Sequence, residues 1–184
     1  MSLRFVLTVT ALAGAAACTE DPFFVFWKEN PQEATIYSLD RDELYRPSAF
    51  DMFARVPVVV ENPLTSWQWD FALDRVDGEL VLVLPRTLGI TSGAGIAPIE
   101  GVEFEDVREA PEDTLLYSTA EPLSIRLGTI YVVRTHQQSG SFGPGCQYYG
   151  KMEPLEFDEE AGVLRFLHDT SPDCNNRSLV PPPE

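Results

Sequence analysis

The amino-acid sequence predicts an all-β protein, built as a single antiparallel domain of the β-sandwich or rolled-sheet type. Three observations support this fold class. Residues 67–74 alternate between apolar and mostly polar side chains, Asp77-Gly78 separates that run from a second apolar run, and three further strand-like runs lie between residues 129 and 167. A period of two residues indicates strands, and a helical period is weak throughout the chain.

The chain begins with a segment that is typical of an exported lipoprotein. Arg4 is the only charge in the first nineteen residues, and an apolar run at 5–13 is followed by small residues at 14–17 and then by Cys18. A basic start, a short apolar core and small residues define a secretory signal, and this core is too short to span a bilayer. The sequence therefore predicts a signal peptide at residues 1–17.

The small residues that precede Cys18 resemble a lipobox, which makes this cysteine the candidate for lipidation. The alternative is ordinary cleavage after Ala15 or Ala17, which would leave a free thiol. Lipidation implies a protein anchored in the bacterial cell envelope, with the bilayer as a partner through Cys18. Thr19 is not the aspartate associated with retention at the inner membrane, so we expect the outer membrane or a periplasm-facing membrane surface.

The rest of the chain forms one unit, because the sequence contains neither an internal repeat nor a linker that would divide it. We predict a lipid-anchored tether at 18–34, one β domain at 35–179 and a proline-rich tail at 180–184. The tail contains three consecutive prolines, which cannot donate hydrogen bonds to a strand ladder.

The first predicted hairpin is centred on Asp77-Gly78. This pair favours a type I′ turn, in which both central residues need a positive φ angle. The run after the turn, residues 80–84, is apolar on both faces, which predicts a buried strand inside a sheet. The run before it is expected to present one apolar face, formed by Trp67, Trp69, Phe71 and Leu73.

The C-terminal half predicts a three-stranded meander. Its strands are expected at 129–135, 147–157 and 163–167, with an acidic turn at 158–162 between the last two. Pro154 in the middle strand indicates an edge position or a β-bulge, because proline has no backbone N–H to donate to a neighbouring strand.

Three cysteines are present, at positions 18, 146 and 174. If the lipid occupies Cys18, then Cys146 and Cys174 remain to pair in an oxidising compartment. The bond would close a loop of about 28 residues and stabilise the fold by about 3 kcal/mol in the chain-entropy model. The alternative is two unpaired, buried thiols.

The acidic composition excludes some functions. The formal net charge is −16, and it becomes −17 without residues 1–17, which contain one arginine and no acidic residue. Such a surface argues against nucleic-acid binding and suits a tethered domain or a basic partner.

The chain also lacks Gly-x-Ser-x-Gly and His-Glu-x-x-His motifs. We therefore predict that the protein is not an enzyme.

Two histidines are the candidate ligand-binding residues. His136 and His168 follow the first and third predicted meander strands, whose ends are expected to lie about 10 Å apart across the sheet. At that spacing the two imidazoles could ligate one haem iron, and Arg134 could contact a propionate. The alternative is that both histidines are solvated or bonded to loop carbonyls.

Several short motifs occur in an order that resembles a known family. They are Trp69-Asp70-Phe71-Ala72-Leu73, a glycine-rich loop, Ile130-Tyr131-Val132-Val133-Arg134-Thr135, Tyr149-x-Lys151 and Val163-Leu164-Arg165-Phe166. Over roughly residues 35–170 the chain resembles the HmuY-like lipoproteins, outer-surface β-proteins whose founding members capture haem. The resemblance implies an all-β domain of the HmuY-like type.

Two functions follow from these observations. The first is an exported, lipid-anchored β domain that captures haem or a similar planar apolar ligand, with haem or a haem-carrying protein as its partner. The second is a non-enzymatic accessory subunit, docked on the periplasmic or outer face of a membrane protein complex such as a respiratory or photosynthetic complex.

Overall fold

The computed structural model describes residues 27–138 and 145–182. The predictions for the signal peptide and for Cys18 lie outside these residues. The described chain is all-β, as predicted, and its helical segments are short 3₁₀ turns at Pro85–Leu88, Phe104–Asp106 and Thr114–Leu116. The strands are β1 Gln32–Tyr37, β2 Ala49–Asp51, β3 Val56–Val58, β4 Phe71–Val76, β5 Glu79–Val83, β6 Gly95–Glu100, β7 Leu123–Ser124, β8 Thr129–Arg134, β9 Tyr149–Asp158 and β10 Val163–Thr170.

These strands form two antiparallel sheets of five strands each. The first sheet has the order β1-β10-β9-β8-β6, and the second has the order β3-β2-β4-β5-β7. Their inner faces enclose one apolar core, in which the rings of Phe50 and Phe166 meet edge to face at 5.1 Å. Phe71 contacts both of these rings. The domain is therefore a β-sandwich.

The predicted hairpin is present between β4 and β5. Asp77 and Gly78 form its two-residue loop with φ angles of 53° and 91°, as a type I′ turn requires. β5 lies between β4 and β7, and residues 80–83 are buried. The prediction of a buried inner strand is therefore confirmed.

The strand before this turn is shorter than predicted. β4 begins at Phe71, whereas Trp67 lies before it with 59% of its surface exposed. Trp69 packs in the apolar cluster on the outer face of the second sheet, away from Phe71. The expectation of one apolar face and one mostly polar face is wrong here, because Ala72 is also buried.

The predicted meander is present as β8, β9 and β10. The pairing of β9 with β10 shifts between Arg165 opposite Glu156 and Phe166 opposite Pro154. The expected bulge therefore lies directly beside Pro154. The first sheet continues beyond the meander, because β1 adds to β10 and pairs Gln32 with His168.

Residues 101–118 cover part of the outer face of the first sheet, through an apolar cluster that includes Phe104, Val107 and Tyr117. Lys151 of β9 binds this segment to the sheet. Its Nζ donates to the carbonyl oxygens of Phe104 at 2.7 Å and Val107 at 3.0 Å. Burial lowers the pKa of the Lys151 ammonium, and the nearby acidic residues only partly oppose this effect.

The two ends of the sandwich differ, and we name them for what they contain. The hairpin end carries the Asp77-Gly78 turn and the turn at residues 159–162. The disulfide end is where β2 and β8 stop and where β4 and β9 start. The described part of the chain contains no helix that is long and apolar enough to cross a membrane.

Candidate functional site

The predicted disulfide is present and marks the disulfide end. Cys146 and Cys174 are bonded, with their Cα atoms 5.2 Å apart. The bond joins the segment that enters β9 to the segment that leaves β10. Around it, the backbones of Gln138 and Cys146 exchange two hydrogen bonds, and the backbone N–H of Asn175 donates to the carbonyl of Gln147. The disulfide therefore secures one end of the meander, as predicted.

Asp70 is the centre of a buried polar cluster at this end. Its side chain is completely buried, and Oδ2 accepts a 2.7 Å hydrogen bond from the backbone N–H of Met52. Oδ1 accepts from the backbone N–H of His136 at 2.6 Å and lies 2.8 Å from the Nδ1 atom of the same residue. One carboxylate thus ties the end of β8 to both β2 and β4 of the opposite sheet.

Both ring nitrogens of His136 lie within hydrogen-bond distance of a partner. Gln138 lies on the other side of the ring, with its Nε2 atom 2.7 Å from Nε2 of the imidazole. With the amide in this orientation its NH₂ group donates to the imidazole Nε2, which places the ring proton on Nδ1, where it is donated to Asp70. Burial, the largest influence, lowers the pKa of His136, but the hydrogen bond and charge of Asp70 and the charge of Asp51 outweigh it. The pKa of His136 is therefore raised.

A second carboxylate lies in the same cluster. Asp51 ends β2, is 6% exposed, and accepts a 2.9 Å hydrogen bond from the backbone N–H of Ala54. Burial raises the pKa of the Asp51 carboxyl; the Ala54 hydrogen bond opposes this shift, and the charge of Asp70 adds to it. One ligand atom from each of Asp51, Asp70 and His136 lies within 4.8 Å of the other two. The cluster can hold a proton or a small cation between two carboxylates and one imidazole.

His168 lies in a different environment, in the core between the sheets. It is 1% exposed, and its ring lies 4.6 Å from that of Phe50 and 5.9 Å from that of Phe166. Its Nδ1 atom has no hydrogen-bond partner among the described residues. Burial lowers the pKa of His168 to about 4, and the positive charge of Arg55 contributes to the shift.

The structure does not bring the two histidines together. His168 is paired with Met152, and Met152 is paired with Tyr131, five residues before His136. The expectation that the histidines lie level at one end of the meander is wrong, because β10 continues to Thr170 while β8 stops at residue 134. Five residues of extended chain separate Tyr131 from His136, so the two histidines are offset by roughly 16 Å along the strand direction.

Arg134 lies on the outer side of the first sheet, away from His168. Its Nε donates to the carbonyl of Gly93 at 3.1 Å, and its guanidinium group lies 5.1 Å from the ring centre of Tyr117. These contacts hold the side chain of Arg134 against the segment that covers the outer face.

A second polar group at the disulfide end joins the start of the described chain to the domain. The buried carboxylate of Asp169 accepts from the backbone N–H of Asn30 at 3.0 Å and forms a 3.0 Å ion pair with Arg55. Arg55 also donates to the carbonyl of Asn30, and it has a positive φ of 59°. Trp27, Phe53 and Arg55 line one cleft. The chain therefore enters the domain at the disulfide end.

Sequence reasoning identified His136 but not its two carboxylate partners. Asp70 follows two tryptophans and precedes Phe71, so a charged residue stands in an apolar run, and this was the available signal. The partner of such a residue, 66 positions away in this case, cannot be read from local patterns. Comparison with protein-family models and with curated proteins finds no match for this chain.

Proposed function

We propose that the protein is an exported, lipid-anchored and non-enzymatic accessory domain, which docks on a membrane protein complex through its disulfide end. The observation that carries this proposal is the position of Trp27, which is buried at that end and follows Cys18 by nine residues. Nine extended residues reach at most about 32 Å. A lipid on Cys18 therefore keeps the disulfide end close to the membrane surface.

The surface at this end suits a protein partner. Phe53 and Val56, on either side of the tip of the β2–β3 hairpin, are 42% and 47% exposed. Trp67, three residues before Asp70, is 59% exposed. Large exposed aromatic side chains are enriched at protein interfaces. The net charge of −16 favours a basic partner surface over an anionic lipid surface.

The same geometry favours docking over haem capture. His168 is packed between two phenylalanine rings in the core, and His136 is bonded on both ring nitrogens. Ligation of one haem iron by both residues would require the core to open and the Asp70 hydrogen bond to break. Docking uses side chains that are already exposed.

The anchor is tested with radiolabelled palmitate in a bacterial host. We expect the unaltered chain to be labelled and to sediment with membranes, and Cys18→Ala to be unlabelled and soluble. Equal membrane association of the two proteins would show that the anchor lies elsewhere.

Docking is tested by native electrophoresis of detergent-solubilised membranes from cells that produce the protein. We expect the unaltered chain to migrate in a complex, and the double variant Phe53→Ser/Trp67→Ser to be released from it while remaining lipidated. The matched control is Leu44→Ser/Leu127→Ser, which removes two exposed side chains near the hairpin end and should stay in the complex. Migration of the unaltered chain as a monomer, or equal release of both variants, would contradict docking through the disulfide end.

A further inference from the structure

Asp51, Asp70 and His136 form a polar cluster that the docking proposal does not use. The two carboxylates are 6% and 0% exposed, and neither forms an ion pair with a lysine or arginine among the described residues. Burial of carboxylates is costly unless a positive charge or several hydrogen bonds compensate it. His136 is the one basic side chain that contacts either carboxylate among the described residues.

We infer that Asp51, Asp70 and His136 bind a divalent first-row transition-metal cation of the Zn²⁺ class. One ligand atom from each residue lies within 4.8 Å of the others, so small movements of the side chains bring all three atoms around one ion. The Nδ1 atom of His136 and Oδ1 of Asp70 are 2.8 Å apart. Two ligands about 2.1 Å from one tetrahedral ion are separated by roughly 3.4 Å, so the cation can replace the shared proton once these two atoms move apart by about 0.6 Å.

The residue on the far side of the imidazole supports this assignment. A histidine that ligates a metal through Nδ1 carries its proton on Nε2 and donates it to an acceptor. Gln138 is already 2.7 Å from Nε2, and rotation of its amide by half a turn presents the oxygen there instead of the NH₂ group. The backbone hydrogen bonds between Gln138 and Cys146, next to the disulfide, keep Gln138 in this position.

The ligand chemistry selects the class of cation. One imidazole nitrogen with two carboxylate oxygens suits Zn²⁺ and related ions, whereas Ca²⁺ and Mg²⁺ prefer six or more ligands that are all oxygen. The His136 side chain is 12% exposed, which leaves a route from solvent to the cluster.

Nuclear magnetic resonance of the imidazole groups tests the site without any change to the cluster, because the chain has only two histidines. The sample is the untagged, full-length chain in detergent, with Cys18→Ser so that no free thiol binds the probe. We expect one equivalent of Zn²⁺ to move the ring signals of His136 and to leave those of His168 in place. No change at His136, or equal changes at both histidines, would overturn the assignment.

Calorimetric titration with Zn²⁺ tests the ligands one at a time. We expect Asp51→Asn and His136→Gln to weaken binding at least tenfold, and Gln138→Ala to weaken it about tenfold. The matched control is Asp158→Asn, an exposed carboxylate at the hairpin end, which should bind as the unaltered chain does. Unchanged affinity in His136→Gln, or equal affinity for Ca²⁺, would contradict the proposal. If Asp51→Asn does not fold, the resonance experiment still decides the question.

Discussion

Distant segments meet at both ends of the sandwich, but the hairpin end consists of local turns and exposed ion pairs, whereas the disulfide end is held by buried polar contacts between the two sheets. The hairpin turns use neighbouring residues: Asp158 accepts from the backbone N–H groups of Glu160 and Ala161, both at 2.9 Å. At the disulfide end, Thr170 donates to the carbonyl of Met52, 118 positions away. The first kind of contact needs only neighbouring residues, whereas the second kind needs both sheets to be packed together.

The two ends also differ in how their charges are solvated. At the hairpin end Arg75 forms ion pairs with Asp40 at 3.1 Å and Glu159 at 3.7 Å, and both carboxylates are about half exposed. Exposed pairs of this kind contribute little to stability. At the disulfide end Asp70 and Asp169 are buried. If one of their hydrogen-bond partners is lost, water cannot reach the site to replace it, and a buried polar group stays unsatisfied. We therefore expect substitutions at the disulfide end to cost more.

The largest expected difference is between Asp70→Ala and Asp158→Ala. Each carboxylate accepts hydrogen bonds from two backbone N–H groups, but only Asp70 is buried and also bonded to His136. Asp70→Ala should lower the free energy of unfolding by about 4 kcal/mol, because the buried N–H of Met52 and two N–H groups of the partly buried His136 lose their acceptor. Asp158→Ala should lower it by about 1 kcal/mol. Urea denaturation measures both, and equal losses would contradict the distinction between the ends.

The disulfide provides the next test. The double variant Cys146→Ser/Cys174→Ser should lower the free energy of unfolding by about 3 kcal/mol, because the unfolded chain gains freedom. Amide hydrogen exchange should increase near residues 146–150 and 170–176 and stay unchanged at the Asp77-Gly78 turn. The bond itself is checked by alkylation of the denatured, unreduced protein, in which a free thiol at either position would contradict it.

His168 makes the stability of the folded domain sensitive to acid. Its folded-state pKa of about 4 lies below the ordinary value of 6.5, so protons bind preferentially to the unfolded chain. The stabilisation is complete above pH 6.5 and decreases as the pH falls towards 4. The total loss is about 3 kcal/mol.

His168→Phe isolates this effect, because it removes the titrating group and keeps an aromatic ring beside Phe50 and Phe166. The difference in unfolding free energy between the variant and the unaltered chain should grow in favour of the variant between pH 6.5 and pH 4. Parallel pH profiles for the two proteins would show that His168 does not titrate in this range.

The comparison of the two ends also explains which features were predictable from the sequence. Asp77-Gly78 and the acidic turn after β9 were predicted because turn chemistry depends on adjacent residues. The cysteine pair was predicted because lipidation of Cys18 leaves two of the three cysteines to pair in an oxidising compartment. The link between Asp70 and His136 was missed, since only the packing of two sheets brings these residues together. The position of His168 along the sheet was also missed, because β10 continues for two residues beyond it, to Thr170.

The smallest expected effect is at the hairpin end, where Gly78→Ala tests a purely local requirement. Gly78 has a φ of 91°, and a Cβ atom added there would meet no other atom within 4 Å. The cost is therefore conformational, without a steric clash, and we expect the free energy of unfolding to fall by about 1 kcal/mol. Thermal denaturation measures the loss, and hydrogen exchange at His136 and Met52 should remain unchanged. A loss as large as that of the double cysteine variant would show that the turn is coupled to the disulfide end.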